Sequence, residues 1–244
     1  MAEWNEQQRP QQQDFTGASV PRTGEVFDEG LRKHMLSIYN YMSSGVLLTG
    51  IVALLTFSTG MAASFTSGPL YWLVALSPLA VVILMSFGRN KFSKATLQMM
   101  FWGFALLMGL SLSTLFYYYT QGSIAVTFFA TAGAFAGLSL WGYTTKRDIS
   151  GWGSFLFIGL IGLILSSLLN LWLQSPVMHY AVGAIGVLIF AGLTAYDTQR
   201  LKHEYSVYRG TEYAGKAIIL GALSLYLDFI NMFLFLLRFM GSRE

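Results

Sequence analysis

Three long stretches of this sequence carry no acidic or basic side chain, and they limit what the chain can fold into. Asp, Glu, Lys and Arg are absent from residues 34–88, 95–145 and 149–196. Charged residues make up only 11% of the 244 residues and hydrophobic ones 54%, whereas soluble domains average roughly 25% charged residues. That is too little charge to cover a water-soluble globule, and the 16% aromatic content argues against a disordered chain. The sequence therefore predicts a membrane protein.

Each uncharged stretch is long enough for two membrane-spanning helices and a short turn. A hydrocarbon core of about 30 Å needs about 20 helical residues, and each stretch has about 50. Turn-forming residues divide the stretches near 66–69, 120–123 and 174–176. The sequence thus predicts an all-α integral membrane protein with seven transmembrane helices. The predicted spans are 40–62, 70–87, 96–118, 123–143, 154–173, 179–199 and 217–237.

The basic residues set the expected orientation. We predict a polar cytoplasmic tail at 1–34, a seven-helix membrane domain at 35–241 and a short C-terminal end at 242–244. Thirteen Lys and Arg residues lie in the tail and in three connectors, against none in the other three turns, and such residues concentrate on the cytoplasmic side. The N-terminus is therefore expected in the cytoplasm. With a cytoplasmic N-terminus, seven full spans place the C-terminus outside, yet Arg238 and Arg243 lie there. A full span is favoured for the last segment, and a re-entrant segment is the alternative.

Two aspartates within apolar spans are the main candidates for function. Asp197 lies in the sixth span and Asp228 in the seventh. A carboxylate at the centre of a span costs on the order of 2.5–3.5 kcal/mol, so such residues normally face the protein interior or a water-filled cavity and carry function. The residues expected to support them on the same helix faces are Thr194, Ser224 and Asn231.

If the two aspartates meet, their carboxylates cannot both ionise at low cost, and they would titrate as a unit. The pair could act as a pH switch, a proton relay or a transient site for a hard cation that prefers oxygen ligands. Asp197 lies near the end of its predicted span and Asp228 about 16 Å into the next. Contact therefore requires that the sixth helix continue past Arg200 or that the helices tilt. The alternative is that each aspartate only hydrogen-bonds a neighbouring helix.

Small residues in the fourth span predict a close helix contact. Gly133 and Gly137 form a small-xxx-small motif. In lipid, such motifs let helix backbones approach each other.

No motif indicates an enzyme. The chain has no cysteine, and His34, His179 and His203 lack metal-ligand spacing. No nucleophile–base order, phosphate-binding glycine loop or zinc-protease motif occurs. We therefore expect no catalytic activity, no cofactor and no nucleic-acid partner. An intramembrane aspartyl protease is an alternative, but Leu227 and Phe229 flank the second aspartate where such proteases have glycine.

Four segments together resemble the Bax inhibitor-1 family, in its bacterial inner-membrane branch. They are residues 109–121, 142–156, 195–201 and 222–241. The resemblance covers roughly residues 35–241 and implies a seven-helix bundle whose last helix is central and enclosed by the other six. It also implies a multi-pass protein of the bacterial inner membrane.

The resemblance further implies a function. Members of the family are associated with a pH-sensitive calcium leak, and their pH-sensing aspartates fall on Asp197 and Asp228 here. The expected function is therefore a cation leak channel in the lipid bilayer, with calcium as the ion, gated by this pair. A bacterial relative interacts with a membrane-bound AAA protease. The alternative is therefore a non-conducting protein that binds and modulates such a protease through the tail at 1–34.

Two positions depart from the pattern of the family. Some members carry a basic residue in the second span that can pair with the sixth-span aspartate, whereas this span is uncharged until Arg89. Some also carry an acidic residue in the third span, where residues 106–110 read LLMGL. The gating contacts of those members are therefore not carried over to this chain.

Overall fold

A computed structural model describes residues 23–242, with side chains from Glu29 onward. Within that part of the chain the fold is entirely helical. The short 3-10 helices are Met61–Phe65 and Ser113–Tyr117. The α-helices are α1 (Thr23–Ser58), α2 (Gly68–Gly88), α3 (Lys94–Leu112), α4 (Gln121–Thr144), α5 (Trp152–Leu173), α6 (Pro176–Tyr208) and α7 (Ala214–Met240). All seven α-helices include a segment long and apolar enough to cross a membrane, which confirms the predicted architecture.

Two helices extend far beyond their predicted spans. α1 begins at Thr23 rather than near residue 40, and α6 ends at Tyr208 rather than at 199. The added segments contain Lys, Arg and Glu, which end a hydropathy signal but are good helix formers. α1 also stops at Ser58, earlier than the predicted 62. Because α6 continues past Arg200, Asp197 lies well inside its helix and not at its end.

The division into tail, membrane domain and C-terminal end stays a prediction at both ends of the chain. Residues 1–22 and 243–244 lie outside the described residues. The tail segment proposed as the contact for a protease falls largely among them.

α7 is the most buried of the seven membrane helices. In the apolar 18-residue stretch of α7, 61% of the residues are buried, compared with 11–33% in the corresponding stretches of the other helices. α7 packs against α1, α3, α4 and α6, whereas α2 packs mainly on α3 and α5 mainly on α6. In its middle, the buried Tyr226 shares a 2.6 Å hydrogen bond with Thr49 of α1, whose hydroxyl donates to the Ala105 carbonyl of α3. α7 therefore forms the core of the bundle, with α2 and α5 further out.

Gly142 allows the closest approach of α4 to α6. A Cβ atom at this position would collide with the Ala195 carbonyl oxygen and lie 3.0 Å from its Cα. Only glycine therefore lets these two backbones touch. By contrast, Gly133 and Gly137 are exposed, and a Cβ atom at either would meet nothing within 4 Å among the described residues. The prediction that this motif forms a helix contact within the chain is wrong, because the small residues lie on an outward face of α4.

Candidate functional site

The two predicted aspartates line one cavity between α5, α6 and α7. The cavity has a volume of about 720 Å³. Asp197 projects into it from α6 and Asp228 from α7, the two helices that pack most extensively against each other. Each aspartate is only 5% exposed. The structure thus brings both carboxylates to the same buried place, which the extension of α6 past Arg200 allows.

Arg200 and Ser224 satisfy the Asp197 carboxylate. Arg200 Nη1 lies 2.9 Å from Asp197 Oδ1, and Arg200 Nη2 donates to Ser224 Oγ at 3.1 Å. Ser224 in turn donates to Asp197 Oδ2. The three side chains form a closed polar ring that joins α6 to α7. A buried carboxylate needs such partners because an unpaired charge costs several kcal/mol in a protein interior.

The buried carboxyl group of Asp228 has fewer polar partners than that of Asp197. Its Oδ2 atom is buried and accepts no hydrogen bond from the part of the chain that the structure describes. Asn231, one turn further along α7, donates to the Leu227 carbonyl at 2.8 Å and not to Asp228. Asp228 lines the cavity, and a buried carboxyl oxygen without a hydrogen-bond partner is a group at which a proton, a water molecule or a cation would bind favourably.

Arg200 also contacts groups at the surface end of the cavity. Glu204 Oε1 lies 3.4 Å from Arg200 Nε, although the geometry is not that of a hydrogen bond. The Tyr196 ring centre lies 5.9 Å from the Arg200 guanidinium carbon. The side chains of Arg200 and Glu204 are 39% and 37% exposed, so this second ion pair contributes little stability. Its main effect is to fix where the guanidinium points.

The predicted supporting residues divide into two groups. Ser224 and Asn231 line the cavity, as expected for residues on the same face as Asp228. Thr194 does not line it. The Thr194 hydroxyl is fully buried and donates to the Phe190 carbonyl of its own helix at 2.8 Å.

Two arginines of the cavity were not predicted as site residues. Arg200 and Arg238 both line it. The sequence did contain a signal for each, because Arg200 follows Asp197 by three residues and Arg238 follows Asn231 by seven, and both spacings place side chains on one helix face. From the sequence, Arg238 was considered only for the orientation of the last segment, and Arg200 for membrane topology and as the continuation of the polar face of Thr194 and Asp197.

Gln199 holds the connector between α4 and α5 against α6. Its Nε2 donates to the Arg147 carbonyl at 2.8 Å, and its Oε1 accepts from the Ile149 N–H at 2.9 Å. One turn later, Lys202 Nζ donates to the Tyr143 carbonyl at 2.9 Å. The segment of α6 that carries Asp197 is therefore anchored on the side opposite to α7.

The site has few ligands for a metal ion. Within the described residues, no group of three or more His, Cys, Asp or Glu side chains could hold one. Ca²⁺ normally takes six to eight oxygen ligands, and Asp197 is already paired with Arg200. Among the described residues, the two carboxylates of this cavity are therefore too few for a tight Ca²⁺ site.

Sequence comparisons establish the family. The model of the family described as "Inhibitor of apoptosis-promoting Bax1" matches residues 31–244. The chain belongs to the Bax inhibitor-1 family. Inner membrane protein YbhL of Escherichia coli K12 is 47% identical over 230 residues, which cover 92% of this chain and 98% of YbhL. Uncharacterized protein RP147 of Rickettsia prowazekii is 42% identical over 90% of this chain and 94% of that protein.

Membership of the Bax inhibitor-1 family confirms the resemblance of the four segments. A further relative, the membrane protein SpyM3_0260 of Streptococcus pyogenes, is 36% identical over 89% of this chain. The names of these relatives and the seven apolar helices together support the predicted location in the inner membrane. The cytoplasmic position of the N-terminus stays a prediction.

Proposed function

We propose that this protein is a pH-sensitive cation leak pathway of the inner membrane, with calcium as the expected ion and Asp197 and Asp228 as its gate. One observation carries the proposal. Two carboxylates from adjacent helices line a single cavity, one of them paired with Arg200 and the other with an unpartnered buried oxygen. Intramembrane carboxylates in such a place normally mark an ion or proton path.

The ring around Asp197 supplies a mechanism for pH sensitivity. Protonation of Asp197 removes the negative charge that pairs with Arg200. The carboxylate that accepts the hydrogen bond from Ser224 then becomes a neutral carboxyl group. The contact between α6 and α7 then weakens, because charge-assisted hydrogen bonds are roughly twice as strong as neutral ones. Asp228, whose Oδ2 atom is unpartnered, is the group left to bind the cation. The proposal includes no catalytic step and no cofactor.

The basic partner of Asp197 in this chain is Arg200. Some family members have a basic residue in the second span that can pair with the sixth-span aspartate. Here α2 carries no Lys or Arg, and Arg89 follows its last residue. The partner of Asp197 comes instead from the same helix, one turn away.

The test is calcium flux into dye-loaded proteoliposomes between about pH 6 and pH 8. The native protein should show a flux that changes with pH, and Asp197→Asn and Asp228→Asn should each abolish that change. Asp148→Asn is the matched control, since Asp148 lies in the connector before α5, outside the cavity. It removes the same charge and should leave the pH profile unaltered.

Two results would count against the leak. The first is an unchanged pH profile in both cavity variants. The second is a flux no greater than that of empty liposomes, from protein shown to be folded. The second result would favour the non-conducting alternative, in which deletion of residues 1–33 should abolish association with a membrane-bound AAA protease.

A further inference from the structure

A second cavity opens where α5 turns into α6, at the end of the bundle opposite to the basic connectors. Its volume is about 400 Å³. Polar side chains from three helices face it, among them Ser167 and Asn170 of α5, His179 of α6 and Arg238 of α7. The Asn170 Oδ1 atom accepts a hydrogen bond from the Ser175 N–H at 3.0 Å. The amide NH₂ group of Asn170 is thereby left for another partner.

Arg238 gives this cavity a positive charge without a counter-ion. Both ion pairs within the described residues are made by Arg200, so Arg238 has no acidic partner there. The neighbouring segment from 149 to 196 contains no charged residue at all. The planar guanidinium group presents several N–H donors in a fork that matches the oxygens of a phosphate. The chemistry of this cavity therefore fits a phosphate-type anion.

The polar cavity adjoins the larger one that holds the aspartates. Both are lined by Ser167, Leu171 and Arg238. The α5 wall of the larger cavity is apolar, and its Phe157, Ile164 and Leu168 side chains are 52–61% exposed. α5 is also the least buried of the membrane helices, because only 11% of the residues in its apolar 18-residue stretch are buried. A basic polar pocket thus opens directly onto an apolar cleft at the surface of the bundle.

We propose that this composite cavity binds an anionic phospholipid. The phosphate group contacts Arg238, with Asn170 and His179 beside it, and one acyl chain lies in the cleft along α5. A free phosphate ion would use only the polar part, whereas each CH₂ group buried in the cleft adds to the affinity of a lipid. The apolar continuation therefore favours the lipid as the source of the phosphate. This inference does not depend on the proposed cation leak.

The experiment is native mass spectrometry of the full-length protein in detergent, with phosphatidylglycerol or phosphatidylcholine of identical acyl chains added. Native protein should retain phosphatidylglycerol about fivefold better, the size expected for one arginine near an anionic headgroup. Arg238→Gln should abolish this preference, while Arg238→Lys should keep part of it. Lys91→Gln is the charge-matched control and should keep it entirely, since Lys91 lies in the connector between α2 and α3.

Two further arms distinguish a lipid from a soluble anion. Ile164→Trp adds bulk in the apolar cleft and should reduce binding of both lipids while Arg238 is intact. An excess of inorganic phosphate should not displace phosphatidylglycerol. Displacement by phosphate would identify a soluble anion as the ligand and overturn the lipid assignment. Equal retention of both lipids by native protein would also overturn the lipid assignment. So would an equal loss of the preference for phosphatidylglycerol in Arg238→Gln and Lys91→Gln.

Discussion

Arg200 Nη1 lies 2.9 Å from Asp197 Oδ1, one helical turn away on the same helix. A pair within one helix does not break when neighbouring helices move. Ser224 is the member of the polar ring that comes from α7, and it bonds to both Arg200 and Asp197. The link between α6 and α7 at this point therefore depends on one hydroxyl group, whereas the ion pair travels with α6.

Arg200→Gln is expected to lower the free energy of unfolding by about 1–2 kcal/mol. Breaking a fully buried ion pair costs about 3–5 kcal/mol, and a surface pair contributes about 0–1 kcal/mol. The Arg200 side chain is 39% exposed and that of Asp197 only 7%, so the expected value lies between these limits. Reversible unfolding in detergent measures it. Arg200→Lys should recover about half of the loss, and equal stabilities of native and Arg200→Gln protein would contradict the prediction.

Gln199→Ala should destabilise the connector between α4 and α5 by about 2–3 kcal/mol. The substitution removes two hydrogen bonds and leaves the buried Ile149 N–H and the Arg147 carbonyl without their partner. Hydrogen exchange at the Ile149 amide should accelerate accordingly. Gln199→Glu keeps the acceptor for Ile149 and loses the donor, so it should protect that amide better than alanine does. Similar exchange rates in both variants would show that Oε1 does not protect the amide.

Gly142→Ala and Gly137→Ala should have opposite effects on the free energy of unfolding. At Gly142 the new methyl group meets the Ala195 backbone, which cannot move away as a side chain can, and overpacking of this kind costs about 1–3 kcal/mol. At Gly137 the methyl group meets nothing within 4 Å, and alanine is a better helix former by about 1 kcal/mol. Thermal unfolding of both variants side by side tests the pair. Destabilisation of the same size at both positions would contradict the described packing of α4 on α6.

The carboxyl group of Asp148, in the connector before α5, should titrate at an unusually low pH. Hydrogen bonds from the side chain and the backbone N–H of Ser150 lower the pKa of Asp148. A lowered pKa in the folded state means that the ionised form is stabilised by folding. The contribution to stability is therefore present above the unfolded pKa of about 3.9 and is lost as the pH falls through the folded value.

Ser150→Ala should raise the Asp148 pKa towards its ordinary value. Carbon-13 NMR of the Asp148 carboxyl group, between about pH 2 and pH 6, measures the midpoint. Ser154→Ala, in the exposed first turn of α5, is the control and should leave the midpoint where it is. A midpoint that responds equally to both substitutions would exclude the Ser150 contact as its cause.

The number and type of the helices were predictable because the bilayer imposes a minimum apolar length. The positions of the helix ends were less predictable. Hydropathy ends where charges begin, yet α6 runs on to Tyr208 through Arg200, Lys202 and Glu204. Its length beyond the apolar segment depends on helix propensity and on contacts that hydropathy does not record.

The two aspartates were predictable from the cost of placing carboxylates in apolar spans, and Ser224 from its place on the same helix face as Asp228, but the pairing of Asp197 with Arg200 was not. Arg200 follows Asp197 by three residues in the sequence, and nothing in that spacing says whether the pair is buried or solvated. Thr194 shares a helix face with Asp197, yet its hydroxyl bonds to its own backbone. Which side of a polar face meets a cavity depends on how the neighbouring helices are arranged.

The contact of Gly142 with the Ala195 backbone has a consequence for any opening movement. Two helices that touch backbone to backbone cannot tilt towards each other, and they lose their fit when they separate, so α4 and α6 form a stationary frame. α5 lines the aspartate cavity as well, packs mainly on α6 and is the least buried of the membrane helices, so it is the element free to change the width of that cavity. A covalent crosslink between α4 and α6 should therefore leave the proposed cation flux intact, whereas one between α5 and α7 should abolish it.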